Sequence, residues 1–133
     1  MSIENLNEHS KELLKALLEE FSSNYFEVNV ISVCTSDGFD LHFISKKDTN
    51  LEADKVSAIA STLCSLSNAS SEQISNSRLE LTTIESENGC NILLMKTFFS
   101  EIDCVICAEA SDKMSLAELR FITNTLSKKI KAL

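Results

Sequence analysis

Four consecutive apolar residues, Ile92-Leu93-Leu94-Met95, follow a turn signal at Asn88-Gly89, and they constrain the fold more than any other feature of the chain. Asn-Gly between two β-prone runs marks a hairpin, because a type I′ turn needs positive φ at both central residues. Neighbours in a strand point to opposite faces, so the returning strand is apolar above and below. A simple hairpin resting on a core would show water one polar face. This one needs cover on both.

The remaining segments can supply that cover. Ile3, Leu6, Leu13, Leu14, Leu17, Leu18 and Phe21 recur at helical spacing and predict an amphipathic helix over about 3–22. The β-branched run 27–35 meets 39–45 through Ser36-Asp37-Gly38, a second hairpin. Thr49 and Glu52 have capping-box spacing. The stripe Val56, Ile59, Ala60, Leu63 and Cys64 then predicts a helix over about 51–68, extending toward Gln73. Strands follow at 78–85, 90–98 and 101–110. A last helix, opened by a capping box at Ser115 and Glu118, runs through Leu116, Leu119, Phe121, Ile122, Leu126 and Ile130. The order αββαβββα predicts an α+β fold: a five-stranded antiparallel sheet with one helix on one face and two on the other.

Composition narrows the function classes. The 133 residues match one domain, 1–133, and 44% hydrophobic with 24% charged content is globular rather than disordered. A net charge of −8, with 12 basic residues forming no cluster, disfavours nucleic acid and anionic membrane surfaces. No apolar run reaches the roughly 18 residues that span a bilayer. The amphipathic, acidic start is unlike a signal peptide, which predicts a cytoplasmic protein with five reduced cysteines.

Catalytic chemistry finds little support. The only glycines, Gly38 and Gly89, are used in hairpins, leaving none for a phosphate-binding loop. Cys104 and Cys107 stand three apart in a strand, so they point to opposite faces and cannot share a metal. His42 with Asp40 on the same strand face suggests a dyad, but no nucleophile accompanies them, and a polar edge strand is the better reading. Glu85/Glu87 and Glu101/Asp103 sit beside turns as solvated charge. Only Arg78 or Arg120 could serve as an arginine finger, and neither is assigned that role. Phe26, Phe98 and Phe99 are expected to close the sheet ends. The sequence thus predicts a non-enzymatic protein without cofactor or metal.

Taken in order, the hairpin VISVCTSDGFDLHF (30–43), the acidic-started, small-residue helix LEADKVSAIASTLCSL (51–66), the hairpin TTIESENGCNILLMK and the strand IDCVICAEA (102–110) resemble the Roadblock/LC7 family over nearly the whole chain. The resemblance implies profilin-like layers and a homodimer joined edge to edge through the third strand. The second helices of the two protomers would lie side by side. It further implies a role like that of gliding-motility regulators that bind Ras-like GTPases, dynein light chains or lysosomal scaffold subunits. A polar tract at 67–77 departs from the family pattern at the end of the second helix.

The residues bear on that dimer directly. A turn at Asn88-Gly89 pairs Ile84 with Leu93 and Thr83 with Leu94. In the family's sheet order this third strand is an edge, and it lacks the lysines and prolines that blunt edges, whereas the opposite edge carries Asp40, His42, Lys46 and Lys47. Arg78, Leu79, Leu81, Thr83 and Ile84 are therefore the candidate dimer seam. Ser57, Ala58, Ala60, Ser61 and Ser65 keep the second helix narrow, either for a second copy or for its own sheet. Ala58, Ser61, Thr62 and Ser65 are the candidate contacts for a GTPase. Two rivals stand beside this reading: a small-molecule sensor, which needs a large apolar cavity between sheet and helix, and a structural subunit with no GTPase connection.

Overall fold

The computed structural model describes residues 6–133. Its elements are α1 (Glu8–Asn24), β1 (Val28–Thr35), β2 (Asp40–Ser45), α2 (Ala53–Ser75), β3 (Leu81–Glu85), β4 (Asn91–Phe99), β5 (Ile102–Ala110) and α3 (Leu116–Lys131). The order αββαβββα is the expected one. The five strands form one antiparallel sheet in the order β2-β1-β5-β4-β3. The first helix starts at Glu8, capped by Asn7, whose side chain accepts from the Ser10 N–H at 2.7 Å. Ile3 lies outside the described residues.

Both faces are covered, as the two-faced strands require. On one, α1 and α3 press Leu14, Leu18, Phe21, Leu119, Ile122, Leu126 and Ile130 onto Ile31, Val33, Leu93, Met95, Phe99, Cys104 and Ile106. On the other, α2 alone covers Cys34, Leu94, Val105 and Cys107 with Val56, Ala60 and Cys64. Cys104 and Cys107 fall in separate clusters, on opposite faces.

The hairpins differ from the expected type. Gly89 N–H donates to Ser86 O at 2.9 Å and Ser86 N–H to Cys90 O at 2.9 Å, with Gly89 at φ 90°. This is a three-residue loop, a turn closed by a left-handed glycine. Gly38 closes the first hairpin the same way, at φ 93°. The extra residue moves the register by one: Thr83 pairs with Leu93 and Ile84 with Ile92, correcting the pairs expected from a two-residue turn. The two-residue turn occurs instead at Ser100-Glu101, where Phe99 pairs with Ile102 and both turn residues have positive φ, 48° and 67°. Neither is glycine or asparagine, so the local sequence carries no signal for it.

Other boundaries shift for identifiable reasons. The cap of α2 is Glu52, which makes no side-chain cap bond, and Thr49 lies outside the helix, so the expected capping box is absent there. Ser115 does cap α3, accepting from Glu118 N–H at 3.1 Å. At its far end α2 continues to Ser75, since Asn68 Oδ1 accepts the Leu79 N–H at 2.9 Å and Ser71 Oγ donates to Ser77 O at 2.9 Å, tying the return segment against the helix. A register shift between Val33 and Cys34 sets His42 opposite Val33 and Asp40 opposite Cys34. Val33 and Cys34 face opposite layers, so the expected His42/Asp40 pair on one face does not exist. Phe99 is fully buried, but Phe26 is almost wholly exposed and closes nothing.

Candidate functional site

The surface that gathers the most unpartnered structure lies where β3 meets the α2 layer. β3 is an outer strand of the sheet. The Ser86–Cys90 bond sets the alternation of the ladder. Leu81, Thr83 and Glu85 are therefore the residues of β3 whose backbone groups turn away from β4 toward the rim. Their side chains share the α1/α3 face with their partners Met95 and Leu93, while Thr82 and Ile84 share the α2 face with Leu94 and Ile92. No lysine or proline blunts the strand.

The α2 layer beside this rim is incompletely closed. A groove of about 200 Å³ runs under the first half of α2, floored by Val30, Leu94, Cys107, Ile92 and Ile84 and roofed by Val56, Ile59, Ala60 and Leu63. Ile59 is 60% exposed at its lip and Leu66, two turns further along, is 64% exposed. Periodicity places Ile59 in the core stripe. Its exposure follows from the width of the sheet, which one helix cannot cover: α2 packs chiefly over β1 and reaches the other strands less. At the groove's inner wall Lys47 Nζ donates to Glu109 Oε2 at 2.8 Å, and Oε1 lies 2.6 Å from the same nitrogen, off the hydrogen-bonding direction. This ion pair ties the β2–α2 connection to central strand β5.

The small residues of α2 divide between two jobs. Ser57, Ala60 and Ser61 are buried against the protein's own sheet. Cys34 Sγ donates to Ser57 O at 3.7 Å, and a Cβ at Gly38 would come within 3.0 Å of Ser61 Oγ. Close approach of α2 to the β1–β2 hairpin thus accounts for Ser57 and Ser61, while Ala60 packs over the sheet beside Val56. Ser61, expected as a surface contact, is spent inside; Ala58, Thr62 and Ser65 remain on the surface. Ala58 lies beside Gly38 of the first hairpin, and Ser65 lines a hollow with Ser36. Of the expected seam residues, Leu81, Thr83 and Ile84 lie in β3, but Arg78 and Leu79 precede the strand, and the Leu79 N–H is taken by Asn68. Sequence reasoning missed Glu85 at the rim and Ile59, Leu63 and Leu66 at the lip; the near-heptad spacing of the last three was the available signal.

Ionisable groups do not converge on a reactive centre. Burial pushes the Cys34 thiol up to about 11 and the Cys104 and Cys107 thiols to about 12, which suppresses the nucleophilic thiolate. Desolvation also raises Asp40, opposed by nearby His42 and helped by Asp54. Among the described residues, no group of three histidine, cysteine or acidic side chains is placed to hold a metal ion, and no helix is long and apolar enough to cross a membrane.

No protein-family model matches the sequence, and no curated protein matches it. Solved structures do match the architecture. The gliding protein MglB of Thermus thermophilus superposes with a TM-score of 0.80 at 11% identity, over 96% of this chain and 92% of that one. A Roadblock/LC7 domain from Streptomyces avermitilis gives 0.73 at 16% identity, over 88% and 93%. The chain has the Roadblock/LC7 fold. MglB of Myxococcus xanthus gives 0.79 at 9% identity, over 96% of this chain and 91% of that one. At these identities the agreement lies in backbone architecture. The chain thus keeps this overall architecture while sharing few side chains with those proteins.

Proposed function

We propose that this protein is a non-enzymatic homodimeric scaffold or regulator that binds a small Ras-like GTPase across its paired α2 layer. One observation carries the reading: the bare rim of β3 adjoins the exposed apolar lip of α2, so one twofold contact would satisfy both. With the axis at Thr83, Thr83 pairs with its own copy and Leu81 with the twin's Glu85, giving about six backbone hydrogen bonds. Ile59, Leu63 and Leu66 then face the twin's α2, and Ala58, Thr62 and Ser65 are left outward for the GTPase. The gliding proteins of like fold and the family resemblance of the sequence support the same assignment.

The 200 Å³ groove favours small-ligand sensing as a second reading. Its lining, however, includes Ile84 of β3 and the exposed Ile59, which the twin would cover. Light scattering separates the two. The parent chain is expected at twice the protomer mass. Thr83→Pro, which removes a rim N–H while sparing the β3–β4 ladder, is expected at the protomer mass with its fold intact. A parent protein that stays monomeric at high concentration would sink the dimer. Capture of purified small GTPases in GDP and GTP-analogue states, by parent and by an Ala58→Glu/Ser65→Glu variant, tests the outward face.

A further inference from the structure

On the opposite side of the sheet from α2, the α3 helix presents a second unpartnered feature next to the same rim. Phe121 is 71% exposed although it lies on a helix with a well-buried stripe. With Ala117, Arg120 and Asn124 it walls a notch whose floor is Met95 and whose outer side is Glu80. Met95 is the ladder partner of Leu81, so the notch lies over the first residue of β3. Arg120 Nη2 reaches Glu80 Oε1 at 3.2 Å, an exposed pair. Glu85, at the other end of β3, makes no ion pair among the described residues.

We propose that Arg120 and Phe121 clasp the rim of a second copy of this chain, Arg120 taking the twin's Glu85 and Phe121 flanking that pair. The inference rests on the edge-paired dimer proposed above and specifies its register. Pairing centred on Thr83 puts the twin's Glu85 opposite Leu81, and Glu85 shares the α1/α3 face with Thr83 and Leu81, hence the face of the notch. Strands lie about 4.8 Å apart, so the twin's β3 sits about 10 Å from β4. The α3 helix packs chiefly over β4. Two α3 helices related by this axis are too far apart for direct packing, which needs axes about 8–10 Å apart. The side chains of Arg120 and of the twin's Glu85 together span the remaining distance. Each protomer contributes the exposed Arg120–Glu80 pair at one end of the seam and Glu85 at the other, so the twin's Glu85 would share the guanidinium with Glu80. Registers centred on Leu81 or Glu85 would move the twin's Glu85 several residues away from Arg120.

The test is a charge swap read by the dimer dissociation constant in sedimentation equilibrium, with the full chain. Glu85→Arg and Arg120→Glu are each expected to weaken dimerisation about a hundredfold, since each substitution acts twice across the axis at about tenfold per contact. The double variant Glu85→Arg/Arg120→Glu is expected to return to within a few-fold of the parent. Phe121→Ala should weaken it comparably to the single charge variants. Because the chain has no tryptophan, Phe121→Trp adds a single indole fluorophore; its emission should shift to the blue on association and revert on dilution. A parent that is monomeric overturns the dimer and the clasp together. A parent dimer in which single and double charge variants bind alike, or in which the indole emission of Phe121→Trp is independent of concentration, overturns the clasp alone and leaves the edge pairing standing.

Discussion

Lys47→Met gives the sharpest test of how the α2 layer is held. Lys47 and Glu109 are only 33% and 14% exposed at their side chains, and both carboxylate oxygens lie within 2.8 Å of the ammonium nitrogen. At an effective dielectric of about 20, the attraction is about 6 kcal/mol before desolvation. Drawing both groups out of water offsets most of that. Removing the lysine alone therefore exposes the desolvation term, leaving a carboxylate at the wall of an apolar groove. The expected loss is about 2 kcal/mol, between the value of an exposed pair and that of a fully buried one. Glu109→Gln combined with Lys47→Met removes the stranded charge and should cost about 1 kcal/mol, less than the two single losses together. Equilibrium urea denaturation at pH 7, followed by far-ultraviolet circular dichroism, measures all four proteins of the cycle. If Lys47→Met costs under about 0.5 kcal/mol and the double variant is simply additive, the pair behaves as solvated surface charge and the argument fails.

Three further outcomes are expected. Glu101→Gly should stabilise the protein by about 1 kcal/mol, because glycine relieves the left-handed backbone at φ 67°; a lower thermal midpoint would contradict it. Asp40→Asn should raise stability at pH 7. Burial raises the Asp40 carboxyl above its usual range, so the folded state binds the proton more tightly and loses stability as pH climbs through that raised value. The gain should vanish below pH 3.8, the ordinary carboxylate value, and equal gains at pH 3 and pH 7 would refute the cause. Finally, thiol titration of the native protein with Ellman's reagent should show one fast cysteine, the half-exposed Cys90, and four slow ones; Cys90→Ser should abolish the fast phase.

Much of this architecture is legible in local pattern. The apolar run Ile92–Met95 demands two covering layers, and α1, α2 and α3 follow from periodicity. Spacing alone places Cys104 and Cys107 on opposite faces. These features depend on side-chain alternation at fixed periods, which the chain carries within itself. The rim residues were half legible: the strand was, its register was not. An Asn-Gly pair fits a two-residue or a three-residue loop; here Gly89 closes the three-residue one at φ 90°, where a Cβ would come within 2.7 Å of Asp112. That single residue of slip exchanged the faces of Thr83 and Ile84.

What periodicity could not supply is the position of α2 relative to the sheet. Val56, Ile59, Ala60 and Leu63 form one stripe in the sequence, yet the helix packs narrow against β1 and the first hairpin through Ser57, Ala60 and Ser61, which rolls Ile59 outward. Phe121 is exposed because it lies off the buried stripe of α3, Leu119, Ile122, Leu126 and Ile130, which packs over β4. Pattern along the chain dictates that the sheet is covered on both sides. Packing in three dimensions sets how far each helix reaches across it, because that reach depends on close contacts between residues distant in the chain, and so selects which apolar side chains remain for a partner.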